Sequence, residues 1–267
     1  MPRPIQARID LAALRHNYQI AKKHVSGSEK PVKAWAVVKA DAYGHGLIRC
    51  ATALSDIADG FALVELDGAV ALRDAGFRQP ILLLEGFFEP DDLAVCAEYG
   101  LTTSIHRIEQ LQMIREAGLP VRLSIYLKFN SGMNRLGFTL DQLPALKREL
   151  AASPAIGSIT LMTHFAEADG GRGIDWQLER LAPMIEGWDR PISMANSAAI
   201  LRHPQTAHDW VRPGIMLYGG SPFADADAAS FDLKPVMTLS SRILSVQEIK
   251  AGERVGYGGT FVAERPM

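Results

Sequence analysis

Eight short apolar runs alternate with helix-patterned stretches through most of this chain, and that alternation is the strongest constraint on its fold. The strand-like runs fall at 34–39, 60–64, 80–84, 101–104, 121–128, 157–163, 191–195 and 209–212. Helical spacing occupies 45–56, 66–75, 90–98, 106–117, 140–150, 175–187 and 196–202. A further helix precedes the first run. In 11–25, Leu11, Leu14, Tyr18, Ala21 and Val25 share one face, and Asp10 stands at the N-cap position. Strict alternation predicts parallel strands joined by right-handed crossovers. Eight such units predict an α/β fold of the closed (β/α)8, TIM-type barrel kind. An open doubly wound sheet is the alternative, but no strand is followed by GxGxxG and there is no Walker-type phosphate loop.

The texture changes near residue 221. "SPFADADAASFDLKP" is rich in small and acidic residues and reads as a linker; "VMTLSSRILSVQEI" and "GYGGTF" follow with β-like composition. The expected organisation is a barrel over residues 1–230 and the start of a C-terminal all-β domain over 231–267. A tail of about 35 residues is below the size that ordinarily folds alone.

A net charge of −2 gives no reason to expect nucleic-acid or bulk membrane attraction. No stretch approaches the length of a membrane span, and "MPRPIQARID" has no apolar signal core. Cys50 and Cys96 lie in helix-patterned segments without CxxC spacing and read as buried thiols, not as a disulfide framework or zinc site. These features predict a cytoplasmic protein.

In a (β/α)8 barrel the chemistry gathers at the C-terminal ends of the strands. Here those ends carry Lys39, Lys128, Thr163–His164, Asn196–Ser197 and Arg212 in order. So many cations in one ring suggest an anionic ligand. Ser197 opens a helix after the seventh strand and Gly214–Ile215 follow the eighth, where barrels often bind phosphate on backbone N–H groups. A lysine beside a phosphate site suits pyridoxal 5′-phosphate held as a Schiff base. The rival is an aldolase-like barrel whose lysine reacts directly with the substrate. Each residue also has a plainer reading: Lys39 as a strand reaching solvent, His164 as a structural histidine, Ser197 as an N-cap, Arg212 as surface charge, Tyr257 as the packing residue of a glycine-rich hairpin. Trp176, Trp188 and Trp210 are assigned to packing, and Asp41 to the loop.

Taken together, "AVVKADAYGHG", "LKFNSGMNRLGF", "THFA", "ANSAA", "VRPGIMLYG" and "GYGGTF" resemble the bacterial alanine racemase family, in order along the chain. The resemblance implies a homodimer whose subunits each have a PLP-binding barrel and a C-terminal β-domain, with active sites shared between subunits. It implies interconversion of L- and D-alanine, for peptidoglycan supply or D-alanine breakdown. Lys39 then matches the lysine that carries the cofactor; Tyr43, Ser197, Gly214 and Ile215 match ligands of its phosphate. Arg212 matches the arginine facing the pyridine nitrogen, with His164 supporting it. Arg135 matches the arginine near the cofactor's phenolic oxygen and the substrate, and Lys128 a lysine that many members carry as a carbamate. Tyr257 matches the tyrosine presented to the partner's active site. Racemisation needs a base on each face of Cα, and a lysine with a tyrosine suffices. Each rests near pKa ~10, so ionising one unaided at neutral pH costs about 4 kcal/mol. Neighbouring cations are expected to lower that cost for Tyr257, and desolvation to lower it for Lys39. The alternatives are a non-catalytic PLP-binding barrel and a related barrel decarboxylase.

Two departures stand out. Asn130 occupies the place of an aspartate in the family motif, which leaves an ammonium ion or a bound anion at Lys128 as the alternative to a carbamate. Family members also continue beyond residue 267, through a further phosphate-contacting tyrosine and a methionine-bearing loop. A racemase fragment with weak PLP binding or impaired turnover is the corresponding expectation.

Overall fold

A computed structural model describes residues 3–27 and 30–267. The chain divides into two units: Ile9–Met237, and a smaller one formed by the segment up to Arg8 together with Thr238–Met267.

The large unit is the expected closed barrel. Strand β1 (Gln6–Ile9) lies outside it, and eight parallel strands close in sequence order: β2 (Lys33–Val37), β3 (Gly60–Leu63), β4 (Ile81–Leu83), β5 (Thr102–Ile105), β6 (Leu123–Lys128), β7 (Ile156–Met162), β8 (Ile192–Ser193) and β9 (Trp210–Val211). Closure is made by β2 against β9, with Lys33 opposite Trp210 and Ala34 opposite Val211. Every strand falls within or next to an apolar run of the sequence. The reason is that parallel barrel strands are buried on both faces, so they read as continuous apolar stretches.

Alternate residues point inward and outward along each strand. The inward set includes Trp35, Val37, Ala62, Leu82, Tyr126 and Met162, all buried. Trp35 stacks on Trp210 at 4.2 Å and donates from its indole to the Tyr126 hydroxyl at 2.9 Å. These rings plug the barrel floor and leave space only towards the strand C-termini. The plug also requires Gly60, because a Cβ there would lie 2.4 Å from the Trp35 ring.

The outward set packs under the helices. Helix Leu11–His24 buries Leu14, Tyr18 and Ala21 as its spacing predicts, and Asp10 caps it by accepting the Ala13 N–H at 2.9 Å. The stretch read as a linker is packed instead. Asn17, wholly buried, donates to the carbonyls of Leu217 and Lys234 and accepts the Lys234 N–H. Leu233 and Val236 are buried beside it. Small and acidic composition concealed these anchors because the bonds go to the backbone.

In the small unit, β1 pairs with β10 (Met237–Ser240), and β11 (Arg254–Val255) pairs antiparallel with β12 (Phe261–Val262). The strand-like stretch 241–249 carries no regular structure and exposes Ile243, Leu244 and Val246 at 80% or more. Pairing of an N-terminal strand with the tail had no signal in hydrophobic periodicity, because QARI is mostly exposed.

Candidate active site

The β2 strand stops at Val37, and the chain then makes a turn of reversed hand. Ala40, Asp41, Ala42 and Tyr43 have φ between 51° and 55°, with ψ between 36° and 54°. That is the left-handed helical region, which costs an L-residue about 1–2 kcal/mol. Four such residues in a row persist only where their surroundings hold them. The Ala42 N–H bonds the Val38 carbonyl at 2.9 Å, and the Gly46 N–H bonds that of Asp41 at 2.9 Å. Asp41 also accepts the Leu47 N–H at 2.6 Å, so its loop role includes starting helix Leu47–Leu54. Glu65, at the N-cap position of helix Leu66–Asp74, does not cap that helix; it accepts the Ala40 N–H at 3.0 Å. The turn thus displays Lys39 at one end and Tyr43 at the other.

Both line a cavity of about 260 Å³ at the barrel mouth. So do Lys128, Arg135, His164, Ser197, Arg212, Gly214 and Ile215: nine of the ten predicted site residues share one space. Tyr257 belongs to the small unit and is fully exposed, so nothing in this chain desolvates it. The Lys39 ammonium has no hydrogen-bond or ion-pair partner among the described residues. The sequence alone did not single out Val64, Glu85 and Asp169, which also line the cavity; side chains on mouth loops follow no periodicity.

One wall suits an anion. Ser197 is not the cap of helix Ser197–Arg202. Asn196 takes that place, accepting the Ala199 N–H at 3.1 Å, which leaves the Ser197 hydroxyl to accept the Gly214 N–H at 2.9 Å. The Tyr43 hydroxyl approaches Gly214 so closely that a Cβ there would sit 2.7 Å from it. Two hydroxyls and a backbone N–H converge where any larger residue than glycine would intrude.

Another part of the lining is built on Arg212, which is buried rather than on the surface. One terminal nitrogen donates to the carbonyl and hydroxyl of Ser193, the other to the carbonyls of Thr163 and Met194 and to His164 Nδ1. Its Nε–H makes no hydrogen bond among the described residues. Burial lowers its pKa to about 10, still well above neutrality. Burial, and then the charges of Arg212, Lys128, Arg135 and Lys39, hold His164 far below its ordinary pKa. The imidazole is therefore neutral: Nδ1 accepts from Arg212, and Nε2 carries the proton.

Lys128 ends β6, almost wholly buried, with its ammonium only 3.4 Å from the Leu84 carbonyl. Burial foremost, then Arg212 and Arg135, lowers its pKa to about 8. Asn130 does not face it. Its side-chain oxygen accepts the N–H groups of Gly132 and Asn134, and its amide donates to the Asn134 side chain. That fixes the loop carrying Arg135. The buried Gln177, which no motif flagged, ties this loop to the next by donating to Ser131 and the His164 carbonyl and accepting the Ala166 N–H. Trp176, read as packing, lies under the guanidinium of Arg172 at 3.9 Å.

A TIM-type barrel whose mouth cavity is lined by Lys39, Lys128, Arg135, His164 and Arg212 defines a class: barrel proteins with a cationic cavity at the strand C-termini, where barrel enzymes place their chemistry. Comparison with known proteins narrows it. The family described as "Alanine racemase, N-terminal domain" matches residues 9–222, and "Alanine racemase, C-terminal domain" matches 236–267. The chain belongs to the alanine racemase family. It is 52% identical over 270 residues to an alanine racemase of Nitrosospira multiformis, spanning all of this chain and 74% of that protein. It is 50% identical over 262 residues to a catabolic alanine racemase of Klebsiella aerogenes, covering 98% of this chain and 72% of the other. The crystal structure of biosynthetic alanine racemase from Pseudomonas aeruginosa superposes with a TM-score of 0.93 at 43% identity, covering 99% of this chain and 74% of that one.

Proposed function

We propose that this chain interconverts L- and D-alanine with pyridoxal 5′-phosphate in the barrel-mouth cavity. The observation that carries the reading is the placement of Lys39, the Tyr43–Ser197–Gly214 cradle and the Arg212 Nε–H around one space. The donor set fits the cofactor. Tyr43, Ser197, Gly214 and Ile215 would hold the phosphate, Lys39 would bind the carbonyl carbon, and Arg212 would donate to the pyridine nitrogen. When bound, the cofactor acidifies the substrate Cα–H by spreading the electron pair left behind.

The chain's own residues then have separable tasks. Lys39 Nζ takes or returns the Cα proton on one face. Tyr257 Oη serves the other face, presented to the site of a second subunit. Its full exposure fits that role, as do the exposed Ile243, Leu244 and Val246 of the same unit, which favour association. Arg212 keeps its proton at neutral pH, so it would hold the ring nitrogen by a hydrogen bond without protonating it. His164 positions Arg212 and moves no proton. Arg135 faces the substrate carboxylate. Lys128, whose pKa burial lowers to about 8 so that free amine is far more accessible near neutrality than in an ordinary lysine, is the candidate for carbamylation, and Asn130 does not oppose it because its amide is committed to the loop.

A cytoplasmic homodimer is the matching cellular form. Cys50 and Cys96 are unpaired and buried, and among the described residues no helix is long and apolar enough to cross a membrane. Pure L-alanine incubated with the chain and pyridoxal 5′-phosphate should yield D-alanine on chiral chromatography, and Lys39→Ala should yield none. Cofactor binding without racemisation would favour a PLP-carrier role. Borohydride reduction followed by peptide mapping should label Lys39; a label on Lys128 would overturn the assignment.

A further inference from the structure

The mouth motifs contain a buried tyrosine without a task in the reaction. Tyr218 closes the 3₁₀ turn Ile215–Tyr218 that starts at the cradle, and it is 6% exposed. Its ring stacks on Tyr43, with centroids 4.6 Å apart and planes 27° apart, and also contacts His45 at 4.6 Å. Its hydroxyl donates to the Val37 carbonyl at 2.9 Å, two residues before Lys39. The Tyr43 hydroxyl makes no hydrogen bond among the described residues, so packing alone directs it towards Gly214. A residue that only filled the core would need no such hydroxyl, since phenylalanine fills the same space.

We propose that Tyr218 is a positioning residue joining the two halves of the site: its ring aims Tyr43 at the phosphate, and its hydroxyl fixes the strand end that presents Lys39. The proposal rests on the reading that the cavity binds pyridoxal 5′-phosphate. Each half has its own signature. Aim of Tyr43 matters only to a ligand bearing a phosphate; the position of Lys39 matters to any ligand with the carbonyl. An aromatic pair contributes about 0.5–1.5 kcal/mol beyond burial, or about 2- to 12-fold in affinity.

The test compares dissociation constants for pyridoxal 5′-phosphate and for pyridoxal, read from visible absorption on titrating the cofactor-free chain. In Tyr218→Leu, which loses ring and hydroxyl, pyridoxal 5′-phosphate should weaken by about 3- to 10-fold more than pyridoxal does. In a Tyr43→Phe background that extra loss should vanish. Tyr218→Phe keeps the ring and loses one hydrogen bond, so both ligands should weaken together by about 2- to 10-fold, with their ratio unchanged. Equal weakening of the two ligands in Tyr218→Leu, or an extra loss that survives Tyr43→Phe, would overturn the ring's role. Unchanged affinities in Tyr218→Phe would overturn the hydroxyl's role. If Tyr218→Leu does not fold, Tyr218→Phe still decides, because a changed ligand ratio there contradicts the division of labour. Failure of the unmodified chain to bind pyridoxal 5′-phosphate would refute the cofactor reading itself, a result distinct from all of these.

Discussion

Replacing Lys128 by methionine should stabilise the cofactor-free protein at neutral pH, and the gain should disappear as pH rises. The side chain is 6% exposed and its pKa falls from 10.5 to about 8, mainly through burial. A lysine lowered on folding behaves oppositely to one that gains a carboxylate partner. Below pH 8 both states hold the proton, and the folded state bears the cost of a buried ammonium. Between 8 and 10.5 the unfolded chain binds more protons, so stability rises with pH. Above 10.5 the cost is gone. The gap of about 2.5 pH units, at about 1.36 kcal/mol each, sets the cost at about 3 kcal/mol. Methionine keeps the length and removes the charge at little packing cost. The assay is denaturant unfolding of both proteins at pH 7, 9 and 10.5 in buffer free of carbon dioxide. Buried Tyr18, Tyr126 and Tyr218, whose pKa values are raised by burial, pull stability the other way at high pH, but they cancel in the difference. That difference should shrink by about 3 kcal/mol from pH 7 to 10.5. A flat difference would refute the reasoning and mean that the ammonium is solvated.

Gly214→Ala should weaken pyridoxal 5′-phosphate binding by about tenfold or more, since the added methyl would lie 2.7 Å from the Tyr43 hydroxyl and overpacking costs about 1–3 kcal/mol; unchanged titration would remove Tyr43 from the cradle. Glu65→Ala should slow turnover by about 3- to 10-fold by freeing the Ala40 N–H, with Glu65→Gln, which keeps an acceptor, restoring most of it; equal loss in both would point to charge rather than the bond. Mixed Lys39→Ala and Tyr257→Phe subunits should recover activity that neither parent has, because one hybrid site regains both bases. No recovery after demonstrated subunit exchange would place both bases on one chain.

The barrel was legible because each of its strands is buried on two faces and each helix on one, and burial writes itself into apolar spacing. Lys39, Lys128, His164 and Arg212 were legible because ionisable groups at strand ends interrupt that pattern. Other features left no trace. Glu65 acts through another element's backbone, Asn17 through two carbonyls, and Gln177 between loops; such contacts depend on tertiary neighbours and have no period. The plainer readings of Ser197 and Arg212 failed for the same reason. Asn196 outcompetes Ser197 for the cap, and Arg212 is buried because backbone carbonyls from two strands and their loops satisfy it.

The reversed turn between Lys39 and Tyr43 has a stereochemical consequence. Its dihedral angles are unfavourable for L-residues and are the relaxed state of their mirror images. Ala40 and Ala42 would be more comfortable there as D-alanine. A semisynthetic chain with D-alanine at these two places should be more stable than the natural one, by about 2–4 kcal/mol if the strain at both is relieved. The segment that presents Lys39 therefore has a backbone shape native to D-residues, and ribosomal synthesis can fill it only with the opposite hand.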